Sequence, residues 1–145
     1  MRLIARKVST AGWRSGLAVL AAALCMVAGD GAAQVPAPSE SDFFEKAQGK
    51  WCRQDIHPPS TLEYVIPDSA DTMLTGELKS PRLAVETEAE FDSFSVVENQ
   101  VVVVFAGAST NRRLSDGSIY VIDFSQEFVF DLSLSRFTIR SRQRP

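Results

Sequence analysis

The stretch EFVFDLSLSRFTIRS, residues 127–141, decides the fold. Phe128, Phe130, Leu132 and Leu134 alternate with Glu127, Val129, Asp131 and Ser133. Phe137 and Ile139 continue the alternation against Arg136, Thr138 and Arg140. A period of two puts one apolar face inward and a polar face in water, as half-buried strands require. A turn at about Leu134-Ser135 joins the two as a tight hairpin. Slipping the register by one residue would expose the whole apolar set, so the pairing is strongly specified.

The same period recurs upstream. In LAVETEAEF (83–91), Leu83, Val85, Thr87, Ala89 and Phe91 share one face, and Ala84, Glu86, Glu88 and Glu90 the other. Further strand candidates are WCRQDI, TLEYVIP, TMLTGEL, SFSVV, QVVVVFAG and SIYVIDF. QVVVVF is apolar on both parities and reads as a central strand covered on both faces. Glu98-Asn99 and Ser115-Asp116-Gly117 read as turns, the first because Asn tolerates positive φ. Eight or nine short strands with no long helical window imply an all-β domain with sequential antiparallel pairing. That pattern fits a closed barrel or a strongly curled sheet; a sandwich and an α+β arrangement are the alternatives.

Residues 1–33 read as a secretory leader rather than as fold. Arg2, Arg6, Lys7 and Arg14 are a basic start, LAVLAAALCMVA (17–28) is an apolar run, and Gly31-Ala32-Ala33 offers small residues before Gln34. The run is too short to cross a bilayer core needing about 20 residues. An uncleaved anchor is one alternative. Another is a lipoprotein acylated at Cys25, which Leu24 before it disfavours. Cleavage would remove four of 15 bases and one of 18 acids, leaving a net charge of −6 and Cys52 as the remaining cysteine. Export permits disulfides, but one thiol makes none within a chain. Residues 34–41 (QVPAPSES) read as a flexible linker, and 42–145 as one domain. Ser41 or Asp42 is the expected cap of a short helix, with Glu45 completing a capping box.

Composition narrows function. A pI near 5.2 argues against a nucleic-acid partner, and one histidine with two cysteines excludes most zinc sites. No cofactor or metal is expected. Cys52 and His57 suggest an activated nucleophile, but five residues apart on a strand they face opposite ways, and a packed thiol beside a surface imidazole is the simpler reading. Glu86, Glu88, Glu90 and Asp92 form a carboxylate row that could share a cation only loosely; a solvated strand face accounts for it. Arg112-Arg113 in a loop, with Arg136, Arg140, Arg142 and Arg144, could meet an anionic headgroup or acidic partner, or simply complement the acidic strand. No Gly-rich phosphate loop, Ser-His-Asp set, CxxC or HExxH is present, so nothing positive indicates an enzyme.

FFEKAQGKW (43–51) places a short helix before Gly49-Lys50-Trp51. This resembles the N-terminal signature of lipocalin-like (calycin) β-barrels, in which Gly-x-Trp opens the first strand and the Trp closes the barrel floor. The resemblance implies a small antiparallel up-and-down barrel preceded by a short helix, with an arginine, here Arg136 or Arg140, stacked on Trp51. It further implies a small apolar or amphipathic ligand inside, touched by Trp51, Phe91, Phe128, Phe130 and Leu132. Gly76, Ala84, Ala89, Ala106 and Gly107 are small enough to leave room for one. The expected protein is periplasmic or secreted, has no membrane span after cleavage and is not an enzyme. The competing expectation is a protein-binding module: a protease inhibitor or an accessory of an envelope complex.

Overall fold

A computed structural model describes residues 5–7 and 35–143. The expected leader therefore lies outside the described residues except for Ala5–Lys7, as do Arg144 and the side chain of Arg142. The elements are β1 (Ala5–Lys7), α1 (Glu40–Ala47), β2 (Gly49–Arg53), β3 (Thr61–Ile66), β4 (Leu74–Lys79), β5 (Leu83–Val97), β6 (Gln100–Arg113), β7 (Ile119–Asp131) and β8 (Arg136–Gln143).

From β2 to β8 each strand pairs antiparallel with the next, giving a curled seven-stranded sheet. The three residues of β1 pair with both edge strands, β2 and β8, and bridge them into a ring. The all-β class is as expected. The strands are fewer and longer: LAVETEAEF and SFSVV are one 15-residue strand, and SIYVIDF and EFVFD are one 13-residue strand. In β5 the register shifts between Phe91 and Ser93, so Phe94 opposite Val103 takes the inward place after Phe91 opposite Phe105. A bulge changes which parity points in without ending the strand.

The helix begins earlier than its sequence suggested. Ser39, not Ser41 or Asp42, is the N-cap, and its capping box closes with Asp42. Ser39 Oγ accepts from Asp42 N at 3.2 Å, and Ser39 N donates to Asp42 Oδ2 at 2.8 Å. That reciprocal pair satisfies two backbone donors and sets the start of the helix inside the expected linker. Phe43, Phe44 and Ala47 are buried. Gly49, with φ at 108°, then turns the chain from helix into β2, a conformation a Cβ would strain.

Trp51 is fully buried. Its indole Nε1 donates to the Ala47 carbonyl at 2.7 Å, so the first barrel strand also caps the helix end. The ring meets Phe137 and Phe130 edge-on at 4.9 and 5.7 Å. Arg136 and Arg140 are exposed rather than stacked on it. β6 is central, yet only Val101, Val103 and Phe105 are fully buried; Val102 and Val104 are half-buried, so the strand has one core face, not two. Val129, on the parity expected to be polar, is 5% exposed because it is paired between Val102 and Thr138.

The turns follow the sequence in place more than in detail. The β5–β6 connection is Glu98-Asn99, but the positive φ of 55° falls on Glu98. At Ser115-Asp116-Gly117 the Asp116 carboxylate accepts from Ser118 N and Oγ, and Gly117 takes φ of 73°. The β7–β8 turn spans four residues, 132–135, centred earlier than Leu134-Ser135. Asp131 organises it, accepting from Ser133 Oγ, Ser135 N, Ser135 Oγ and Arg136 N at 2.8–3.2 Å. Burial works against the charge of Asp131, but the hydrogen bonds of Ser135 and Ser133 and of the adjoining backbone outweigh it and hold its pKa below the ordinary value.

Candidate functional site

Inward side chains fall into two tiers. At the helix end, Phe43, Trp51, Phe105, Phe128, Phe130 and Phe137 are at most 1% exposed and pack ring against ring. Of the residues expected to touch a ligand, Trp51, Phe128 and Phe130 belong to this filled core. Phe91 is half-buried against Phe44 and Phe105. Leu132 is not on a strand face: it lies in the β7–β8 turn and borders an outer recess with Val35, Pro36, Ala37, Glu98 and Asn99. The small residues do not hollow this tier. A Cβ on Gly107 would fall 2.0 Å from the Glu88 carbonyl, so the glycine serves close strand approach, and Gly76 lies under the Tyr64 ring. Ala84 and Ala106 sit on the parity opposite Ala89 and Gly107, outside the barrel.

Space opens at the other end. Ser109, Ile122, Phe124, Gln126 and Ser141 line a recess of about 340 Å³. They continue the inward parities of β6, β7 and β8, since Gln126 follows Phe124 and precedes Phe128. Gln126 Oε1 is buried and has no hydrogen-bond partner, while its Nε2 reaches Ser141 Oγ only at 3.5 Å. A buried amide oxygen without a donor is costly, on the order of 1–3 kcal/mol. Nearby, Asn111 is buried and donates to Ser109 O and Oγ at 3.2 Å. Burial pushes the Tyr64 phenol up, with Gln126 and Arg53 offsetting this in part. Arg53, on the parity of Trp51, is held by Asp55, with Nη2 to Oδ2 at 3.0 Å. The tier is thus polar at Ser109, Gln126 and Ser141 and apolar at Ile122 and Phe124.

The other candidates disperse. Cys52 faces out, its thiol 3.6 Å from Glu63 Oε1; burial, then the Glu63 carboxylate, push that thiol up. Glu63 in turn binds Lys50 at 2.7 Å. His57 is exposed in the β2–β3 connection, with no bond to Cys52. Glu86, Glu88, Glu90 and Asp92 are all exposed. Among the described residues no group of three or more His, Cys, Asp or Glu is placed to hold a metal ion. Arg112 and Arg113 end β6 rather than occupying a loop, and Arg113 lies 3.5 Å from Asp116. No helix of the described residues is long and apolar enough to cross a membrane.

Comparison of the chain with family models, curated proteins and solved structures found no match.

Proposed function

We propose that this is an exported lipocalin-like barrel that binds a small amphipathic molecule in its open end, without catalysing a reaction on it. The observation that carries the reading is that Gln126, which lines the recess with Ser109, Ile122, Phe124 and Ser141, has its Oε1 buried without a partner. A ligand that lays an apolar body against Ile122 and Phe124 and, with the Gln126 amide turned toward the recess, donates a hydrogen bond to that oxygen would offset the cost of burying it. A recess of about 340 Å³ is at the lower end of small-molecule sites, so the ligand is small. The floor of aromatic rings leaves the ligand at the mouth rather than threaded through the barrel.

Native mass spectrometry of the exported protein tests this. The expected result is a retained small mass in the wild type that is lost in Gln126→Leu, with the fold unchanged by circular dichroism. A bare wild-type mass under conditions that preserve other lipid–protein complexes would overturn the reading.

A protein-binding role is the second reading. It is favoured by the exposed run Ile119, Tyr120 and Val121, whose strand pairs with β6 but meets β8 only from Phe124 onward. Exposed apolar residues on a one-sided strand are a template for another chain.

A further inference from the structure

In a meander of seven strands the first and last run in the same direction. β2 and β8 therefore cannot complete the ring by pairing antiparallel with each other, and no register between them exists among the described residues. One strand of opposite direction is needed between them. Ala5–Lys7 supplies it: Ala5 lies level with Arg53 and Phe137, Arg6 with Cys52 and Arg136, and Lys7 with Trp51. Beneath this strand the Trp51 and Phe137 rings already touch at 4.9 Å, so the core does not depend on it.

We propose that the seam between β2 and β8 is a strand-accepting slot, occupied in the precursor by Ala5–Lys7 and, once the leader is gone, by an extended segment of another polypeptide. This rests on reading residues 1–33 as a removable leader. Two flanking strand edges, roughly 10 Å apart at two strand spacings, leave room for one strand and hydrogen-bond it on both sides. The occupant is thus a proline-free segment running antiparallel to β2 and β8, with a small residue level with Phe137, where Ala5 stands. The chain's own linker does not suit the slot: Pro36 and Pro38 lack the N–H a ladder needs, and Val35–Ala37 borders an outer recess together with Glu98, Asn99 and Leu132.

The native Cys52 reports the register. It is the single cysteine after residue 33, and the level position on the inserted strand is that of Arg6. Protein expressed with its leader and isolated after export is first sequenced from its N-terminus, then mixed with the peptide RLIARKVST (residues 2–10). The peptide carries one substitution, Ala5→Cys, Arg6→Cys or Lys7→Cys, each as the mixed disulfide with thionitrobenzoate. The Cys52 thiolate attacks the peptide sulfur, the new S–S bond forms, and thionitrobenzoate leaves as the coloured anion. The Arg6→Cys peptide should react about tenfold faster than the other two, through the raised local concentration of a docked strand. Excess unsubstituted peptide should remove the advantage. Equal rates for the three peptides would overturn the slot. A homodimer that excludes the peptide would place a second copy there and overturn the proposed occupant. Exported protein beginning at Met1 would overturn the vacancy itself, and that result is distinct from a slot that is vacant but does not bind.

Discussion

At the helix end of the sheet, Phe43, Trp51, Phe130 and Phe137 interlock edge-on, and the single indole N–H among them has its partner in Ala47. At the opposite end, Ser109, Gln126 and Ser141 occupy the same inward parities, hold about 340 Å³ between them, and leave Gln126 Oε1 without a donor. The backbone pattern is continuous from one end to the other, so the strands do not cause the difference. The side chains do. Aromatic rings fill a narrow ring of strands with no polar remainder, whereas serine and glutamine leave both volume and unmet hydrogen-bonding capacity. Close packing is thereby concentrated at one end, and open volume beside an unmet acceptor at the other.

Truncation at the plugged end carries the largest expected effect. Trp51→Ala removes a fully buried ring, two aromatic contacts and the donor to Ala47. It should cost about 3–5 kcal/mol in urea unfolding. Phe130→Ala should lie in the same range and leave any ligand bound at the mouth in place, because Phe130 packs under the helix against Phe43. A loss below about 1 kcal/mol for either would mean the core is centred elsewhere.

Next in size is the Asp131 turn that closes the same end. Asp131→Ala leaves the Ser135 and Arg136 amides without their acceptor and should cost about 1–3 kcal/mol. The pH dependence has a definite sign. Because the folded-state pKa of Asp131 is depressed, its contribution is complete above the unfolded-state value and is lost as pH falls through the folded one. Wild-type stability should therefore decline below about pH 4 more steeply than that of Asp131→Asn, measured by denaturation midpoints from about pH 7 to 2.5. Parallel curves for the two proteins would remove Asp131 as the organiser of the turn.

The sequence was more legible at the plugged end than at the open one. The alternation through Phe128, Phe130, Phe137 and Ile139 announces the core face, because apolar residues at period two share a face only in an extended strand. Gly49-Lys50-Trp51 announces the buried indole in the same end. The open end was hidden by its own chemistry. Ser125-Gln126 looks like a break between SIYVIDF and EFVFD, since two polar residues in succession interrupt the alternation. In the fold the strand runs straight through, and Gln126 is the inward polar residue of the recess. Asp92-Ser93 misleads in the same way, as a bulge carries the strand across it. Sequence pattern marks a strand by what it buries, so an inward polar residue such as Gln126 hides the strand that carries it.

A smaller effect distinguishes that open tier from a merely imperfect core. Gln126→Leu removes the orphaned oxygen together with the amide's contacts to Ser141 and Tyr64, and should raise stability by about 1 kcal/mol, the cost of the orphan less those contacts. A loss like that of Trp51→Ala would mean that Gln126 is a structural residue and that the recess is not kept open for a ligand.

The smallest effect tests the outside of the same half. Glu63, Glu77 and Glu86 stand directly opposite one another across β3, β4 and β5. Lys50 binds Glu63 at 2.7 Å and Lys79 binds Glu77 at 2.8 Å, whereas no salt bridge among the described residues involves Glu86. Like charges at directly opposed positions oppose pairing, so Glu86→Lys should stabilise the fold by roughly 0.2–1 kcal/mol at low ionic strength. Glu86 is exposed, so salt should erode the gain, most of it gone by about 1 M, where the screening length is near 3 Å. Glu88→Lys is the control: its Cα partners are Thr75 and Ala108, neither of them charged. A gain equal to that of Glu86→Lys, with the same salt dependence, would trace the effect to the net negative charge of the chain rather than to the opposed row. A gain confined to Glu86→Lys would show that the sheet at its open end is held together against its own surface charge.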